Sequence, residues 1–556
     1  MRSMQQHSTP PTSSFRSAFF KALCATTLAV LAACGGGGGD SGASTQGTGN
    51  STGTLSPTTP SSTPPATPPA AAVPTPVVSL AQRCVAPRPA VAATASSPAI
   101  AADAQGSIET EKAWVSKFMT DTYLWYKDIP AVNAAAFVPS AYNNSTYDTL
   151  DAYFEALKTK QKTASGKLVD EFSFTIPTAD LNDAQAGISS GYGIRFAFVT
   201  TVPPRLLRVL YVQPGSPAEL AGILRGDTVK TVDGVDININ TDAGIDKLNA
   251  GINPAVATKT TVFGMQAATS TVVRNITVTS SQTVKVPAVP QSSVLASSAA
   301  VGTRTVGYLV LNSFSIDSAE AELITAVKQL KTANVNELVL DLRYNGGGYL
   351  AISSQLAWMV SDNTLAGKVF EKKVCNDKNP FSDCNASYTF AQTSLGISVP
   401  SGQPLPQLGL KRVFVLTSRS TCSASEAIIN SLTPFMQVVT IGSTTCGKPY
   451  GFQYKDNCGT SYAAMQFKGV NANGFGDYAD GLALTCKVAD DLTKQRGDPT
   501  ELMLSGALTY MRTGICPPVT TGLLKSQPGS ADTGNYQVMR SKAEEVRLMS
   551  IPLTAR

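Results

Sequence analysis

Residues 412–432 read RVFVLTSRSTCSASEAIINSL, and the reading of that stretch decides the fold. Arg412 to Thr417 is a short apolar run of strand composition, Ala424 to Leu432 carries a helix, and Gln437 to Ile441 is strand-like again. The same order occurs upstream. Val306 to Leu311 reads as a strand, Ser318 to Lys331 as an amphipathic helix and Glu337 to Leu342 as a buried strand. Repeated alternation of this kind predicts crossover units around a central sheet, an α/β core over 289–520 in a multi-domain α+β chain.

Ser423 falls at the start of the predicted helix. A helix N-terminus offers free N–H groups and positive potential, so the Ala424 N–H is a natural donor to a developing oxyanion. A second donor fits best in Asn345-Gly346-Gly347-Gly348, since glycine lets a backbone approach a substrate closely. Capping of the helix is the plainer reading of Ser418, Ser420, Ser423 and Ser425.

A serine nucleophile needs a base, and the single histidine of the chain is His7, within an N-terminal leader. This excludes a Ser-His-Asp triad and any His-ligated metal site. Lys448 lies 25 residues after Ser423. Burial favours the neutral amine, which turns a lysine into a general base. Ser423 and Lys448 are therefore the candidate dyad. No S-x-x-K occurs, which removes the penicillin-binding arrangement. Gly187-Ile188-Ser189-Ser190-Gly191 satisfies G-x-S-x-G but feeds a strand and has no His partner, so it is not a hydrolase elbow.

The N-terminus is basic (Arg2, Arg16, Lys21), then apolar from Ala22 to Ala33, then Cys34. That pattern is a secretory signal over 1–33, too short to span a bilayer as a helix. Leu31-Ala32-Ala33-Cys34 resembles a lipobox, which implies lipidation at Cys34 and, with Gly36 two residues on, retention at the outer membrane, facing either the periplasm or the exterior. Residues 34–83 are Gly, Ser, Thr, Pro and Ala with almost no charge, the composition of a disordered tether. Residues 84–184 read as mostly helical, from Trp114 and Phe118 at i, i+4 and from Leu150, Tyr153, Phe154 and Leu157. Residues 521–556 form a polar tail. Net charge is +5, with Lys and Arg scattered, so nucleic acid is not an expected partner.

Ten cysteines occur, eight of them beyond Cys24 and Cys34, and an even count in an exported chain predicts disulfides. Cys375–Cys384 is the nearest local pair. Cys422 with Cys446 would pin the dyad, and Cys446 with Cys458 competes with it. No C-x-x-C pair exists, and no metal or cofactor is called for.

Between these parts, Gly191-Tyr192-Gly193-Ile194, Gln213-Pro214-Gly215-Ser216-Pro217-Ala218-Glu219-Leu220-Ala221-Gly222-Ile223 and Arg225-Gly226-Asp227 resemble a PDZ domain, bounded at 185–288. The resemblance implies capture of an extended peptide as an added strand, its terminal carboxylate held by Gly191, Tyr192, Gly193 and Ile194. A helix near Asp242 to Leu248 would form the other wall.

Leu340-Asp341-Leu342-Arg343-Tyr344-Asn345-Gly346-Gly347-Gly348, Ser423-Ala424-Ser425-Glu426 and Gly442 to Lys448, following a PDZ-like segment, together resemble the C-terminal processing peptidases (tail-specific proteases). The resemblance runs over about 107–515. It implies a Ser423 nucleophile, a Lys448 base, Gln453 orienting the lysine, and oxyanion donors at Ala424 and Gly347, with Gly346 as the neighbouring possibility. The lysine-to-glutamine separation is five residues where four is usual. It further implies protein or peptide substrates, taken through their C-termini. The competing reading is a membrane-anchored PDZ adaptor on a silent protease scaffold. Oligomeric state is left open.

Overall fold

A computed structural model of the chain describes residues 79–92, 101–200, 203–254, 258–296, 301, 303–518 and the backbone of 537–538. The predicted leader, Cys34 and most of the predicted tether lie outside the described residues.

The core is a six-stranded sheet in the order Gln291–Val294, Val306–Val310, Glu337–Asp341, Arg412–Thr417, Gln437–Gly442 and Cys486–Lys487. All neighbours are parallel except the first pair. Parallel strands need crossovers, and helices Ala319–Thr332 and Ala424–Leu432 supply them where the sequence places them. Strand side chains alternate between two apolar layers, as a period of two requires. Leu309, Leu338, Leu340, Val413 and Val415 join one cluster with Ile428 and Leu432. Tyr308, Val339, Phe414, Leu416 and Ile441 join another with Met503, Leu504 and Leu508 of helix Leu502–Thr513. Glu501 caps that last helix, its carboxylate accepting the Leu504 N–H at 3.0 Å.

The N-terminal segment folds onto this core. Helices Ile108–Thr122 and Thr146–Ala156 send Trp114, Phe118 and Phe154 against Tyr462. Strand Phe174–Pro177 pairs antiparallel with Thr460–Ala463, and the Cys84–Cys458 disulfide ties the segment's start to the same hairpin. The expected Cys375–Cys384 and Cys422–Cys446 bridges are both present, and Cys486–Cys516 completes the set. Cys446 therefore does not pair with Cys458.

The middle segment is a separate sheet, Val273–Thr279, Thr260–Gln266, Thr228–Val232, Leu206–Val212 and Ile194–Thr200 in spatial order, with Gln537–Val538 added beyond Ile194–Thr200. Helix Asp242–Ile252 packs over it through Leu248 and Ile252. This sheet is seated on the core through Arg225, whose guanidinium reaches the Tyr344 hydroxyl at 2.6 Å and Asp490 at 2.5 Å. Among the described residues no helix is long and apolar enough to cross a membrane.

Candidate active site

Two loops leave the C-terminal ends of adjacent parallel strands, Glu337–Asp341 and Arg412–Thr417, and are sewn together there. The Thr421 hydroxyl donates to the Leu342 carbonyl at 2.9 Å, and the Asn345 carbonyl accepts from the Cys422 N–H and the Ser425 hydroxyl, both at 3.1 Å. Ser423 sits at the turn into the helix with φ 63° and ψ −118°. A non-glycine residue there costs roughly 1–3 kcal/mol and persists only where its surroundings over-determine it. Gly347 supplies part of that constraint: a Cβ on it would lie 2.8 Å from the Ser423 Cβ, so only a hydrogen fits.

Glu426 is the hub of the site. It lies in the first turn of the Ala424–Leu432 helix and is fully buried. Its carboxylate accepts the N–H of Ser423 at 2.8 Å, of Gly447 at 2.8 Å and of Lys448 at 2.9 Å, and the Thr445 hydroxyl at 2.6 Å. One oxygen, Oε2, receives both the Ser423 and the Lys448 N–H, so a single atom holds the two backbones together. Burial pushes the Glu426 pKa up, opposed by those donors. The Cys422–Cys446 bridge, with Cα atoms 5.3 Å apart, ties the same two loops a second time. Glu426 was not singled out from the sequence, although the S-x-x-E spacing of a capping box was visible in Ser423-Ala424-Ser425-Glu426.

Lys448 is fully buried. Its Nζ lies 5.2 Å from the ring centre of Phe172 and 5.1 Å from that of Phe452. Aromatic faces attract an ammonium by about 0.5–2 kcal/mol, yet burial outweighs them and the attraction of Asp170 and Glu426. The lysine pKa falls to about 7. A neutral amine is thus available near neutral pH, which is the state a general base requires. The aromatic walls escaped the sequence reading because Phe172 belongs to a segment remote in sequence from Lys448.

Ser423 Oγ is buried and has no hydrogen-bond partner among the described residues, so the Ser423–Lys448 hydrogen bond is not made in this arrangement. The Ala424 N–H also donates to nothing among the described residues and lies beside Gly347, as an oxyanion donor should. Two of the sequence-derived site residues make other contacts in this arrangement. Gln453 donates its side-chain amide to Asp383, within the Cys375–Cys384 loop, at 3.2 Å and exchanges hydrogen bonds with Gln466. The Gly347 N–H is taken by the Asn345 side chain at 2.8 Å, so Gly347 contributes close packing, while the Gly346 N–H has no partner among the described residues. Gly191 ends strand Ile188–Gly191, which pairs with Ser281–Lys285 in a small sheet of its own, and Ile194 opens strand Ile194–Thr200 of the middle sheet, with Tyr192 and Gly193 between them. The sulfurs of Cys422 and Cys446 lie near Glu426 but, joined to each other, offer no thiolate to a metal.

Behind the nucleophile loop, Arg343 is buried among carboxylates. It donates to Asp341 at 2.9 Å, to Asp490 at 2.7 Å and to Glu501 at 2.9 Å. These contacts fix the strand end that leads into Asn345 and Gly347.

Comparison with known proteins bears on the family and the fold. Residues 305–466 match the model of peptidase family S41, and residues 110–174 match that of the peptidase S41 N-terminal domain. A carboxyl-terminal-processing protease of Picosynechococcus is 29% identical over 272 residues, 48% of this chain and 56% of that protein. Carboxyl-terminal-processing peptidase 2, chloroplastic, of Arabidopsis thaliana is 23% identical over 339 residues, 59% of each. The chain thus spans little more than half the length of these relatives. A crystal structure from Bacteroides fragilis assigned to the S41 proteases superposes with a TM-score of 0.55 at 24% identity, covering 72% of this chain and 96% of that one, a likeness of fold.

Proposed function

Residues 305–466 and 110–174 match models of peptidase family S41, and from that premise we propose that the chain is a serine endopeptidase working through Ser423 and Lys448. The observation that carries this reading is the buried Lys448 amine, its pKa lowered to about 7, on a loop bound through Glu426 to the backbone of Ser423. Neutral Lys448 takes the Ser423 proton as Oγ attacks a peptide carbonyl. The Ala424 N–H stabilises the tetrahedral oxyanion, with Gly347 or its neighbour Gly346 adding a second donor. Collapse releases the amine product, and water resolves the acyl-enzyme. Closure of the Ser423–Lys448 hydrogen bond accompanies substrate binding.

The middle domain is read as a PDZ module that takes substrate C-termini along Ile194–Thr200, towards Gly191, Tyr192 and Gly193. Gly191 and Gly193 have φ of 116° and 79°, the conformation of a loop that turns successive N–H groups outwards. Substrates are read as exported or envelope proteins, and the four disulfides fit an oxidising compartment. Lipidation at Cys34 and outer-membrane anchoring complete the reading.

Incubation with denatured casein, with mass spectrometry of the products, tests the activity. The chain is expected to yield peptides and Ser423→Ala none; cleavage by Ser423→Ala defeats the assignment. A second reading, a silent scaffold carrying a peptide-binding module, draws on the unpaired Ser423 Oγ and the displaced Gln453. Absence of both cleavage and labelling of Ser423 by a fluorophosphonate would favour it.

A further inference from the structure

Strand Ile194–Thr200 has Leu206–Val212 on one side, and on its other side a segment from the far end of the chain. Gln537 lies opposite Phe198 and Val538 opposite Ala197, antiparallel. Without that segment the strand would be the sheet's open edge, a row of unpaired N–H and C=O groups that favours addition of another strand. The polarity is informative. As the added segment advances from 537 to 538, its partner retreats from 198 to 197, so the chain heads towards Ile194 and the Gly191-Tyr192-Gly193 loop. This is the direction in which a peptide must run for its terminal carboxylate to meet that loop. A peptide in this register ending at Ser541 would finish opposite Ile194. An extended chain of the length that separates Pro518 from Gln537 spans at most roughly 60 Å.

We propose that this chain's own C-terminal segment, centred on Gln537–Val538, is an internal ligand of the Ile194–Thr200 edge and excludes other peptides from it. The proposal rests on the reading of the middle domain as a peptide-binding module, but not on catalysis. A tethered segment competes at an effective concentration near the millimolar range, so a peptide supplied in trans binds only after the tail has been displaced.

The test uses three chains, each carrying Ser423→Ala so that no probe is cleaved: the full chain, the full chain with Gln537→Pro and Val538→Pro, and a chain ending at Pro518. Two prolines remove the strand N–H groups whichever of the two faces the edge. The probe is a fluorescent peptide of residues 531–541 with a free carboxylate, followed by anisotropy. The proline variant and the shortened chain are expected to bind it at least about 10-fold more tightly than the full chain, and an amidated probe at least about 10-fold less tightly than the free acid. Equal affinity in all three chains, or no binding to any, overturns the proposal, and equal binding of the amidated probe overturns its placement at the glycine loop. Labelling of Ser423 in the chain without Ser423→Ala is independent of these outcomes, so failure here and failure of the peptidase reading are separable.

Discussion

Two basic side chains, Arg343 and Lys448, are completely buried within the segment 305–466 and are treated in opposite ways. Arg343 is surrounded by Asp341, Asp490 and Glu501, and those carboxylates raise its pKa well above the ordinary value despite burial. Lys448 faces the rings of Phe172 and Phe452, and burial lowers its pKa to about 7. Burial alone therefore does not decide the charge of a group; the balance between desolvation and the attraction of nearby charges does. The arginine is a permanent cation that clamps the strand end behind the oxyanion loop. The lysine is a cation made easy to discharge, and so able to move a proton.

The sharpest way to break this contrast is to make the lysine permanently charged. Lys448→Arg should reduce turnover by at least about 1,000-fold, measured by casein cleavage, with secondary structure retained by circular dichroism. Removing the charge at the other site should act on stability first. Arg343→Met leaves the buried carboxylates of Asp341 and Glu501 without their paired cation, and Asp490 with Arg225 alone, and should cost about 3–5 kcal/mol in chemical denaturation. A loss below about 1 kcal/mol would mean that the cluster is not a clamp.

Glu426→Gln tests the link between the two loops. It keeps the shape but replaces one accepting oxygen with an NH2, which cannot receive the Ser423, Gly447 and Lys448 N–H groups together. Turnover should fall by about 10–100-fold while KM changes little, as expected for a positioning residue. The smallest effect concerns Glu371, buried on the neighbouring small sheet with neither carboxylate oxygen hydrogen-bonded among the described residues. Burial pushes its pKa up to about 8. A carboxyl with a raised folded-state pKa supports the fold below its unfolded value and loses that support as pH rises through about 8. Glu371→Gln should therefore raise the melting temperature at pH 8 by a few degrees, on the order of 1 kcal/mol, and by less at pH 5.

Much of the frame was legible because it depends on local pattern. Arg412–Thr417 and Ala424–Leu432 fall at the residues read from hydrophobic spacing, and helix Ala319–Thr332 is displaced by one residue. Ser423 and Lys448 were singled out because excluding histidine leaves few bases for a serine at a helix start, and their backbones meet on Glu426. What could not be read was what tertiary packing alone decides. The Arg343 cluster joins positions up to 158 residues apart, and Phe172 comes from the N-terminal segment. The Gln453 contact with Asp383 joins positions 70 apart and likewise had no local signal. The Gly347 N–H could not be known to be engaged before the Asn345 side chain was placed.

The most direct measurement is the second-order rate of Ser423 labelling by a fluorophosphonate between pH 5.5 and 9. A buried lysine acting as base predicts a rate that rises about tenfold per pH unit below 7 and levels off above it, following deprotonation of Lys448. A rate independent of pH across that range, in a chain that labels at Ser423, would contradict the account.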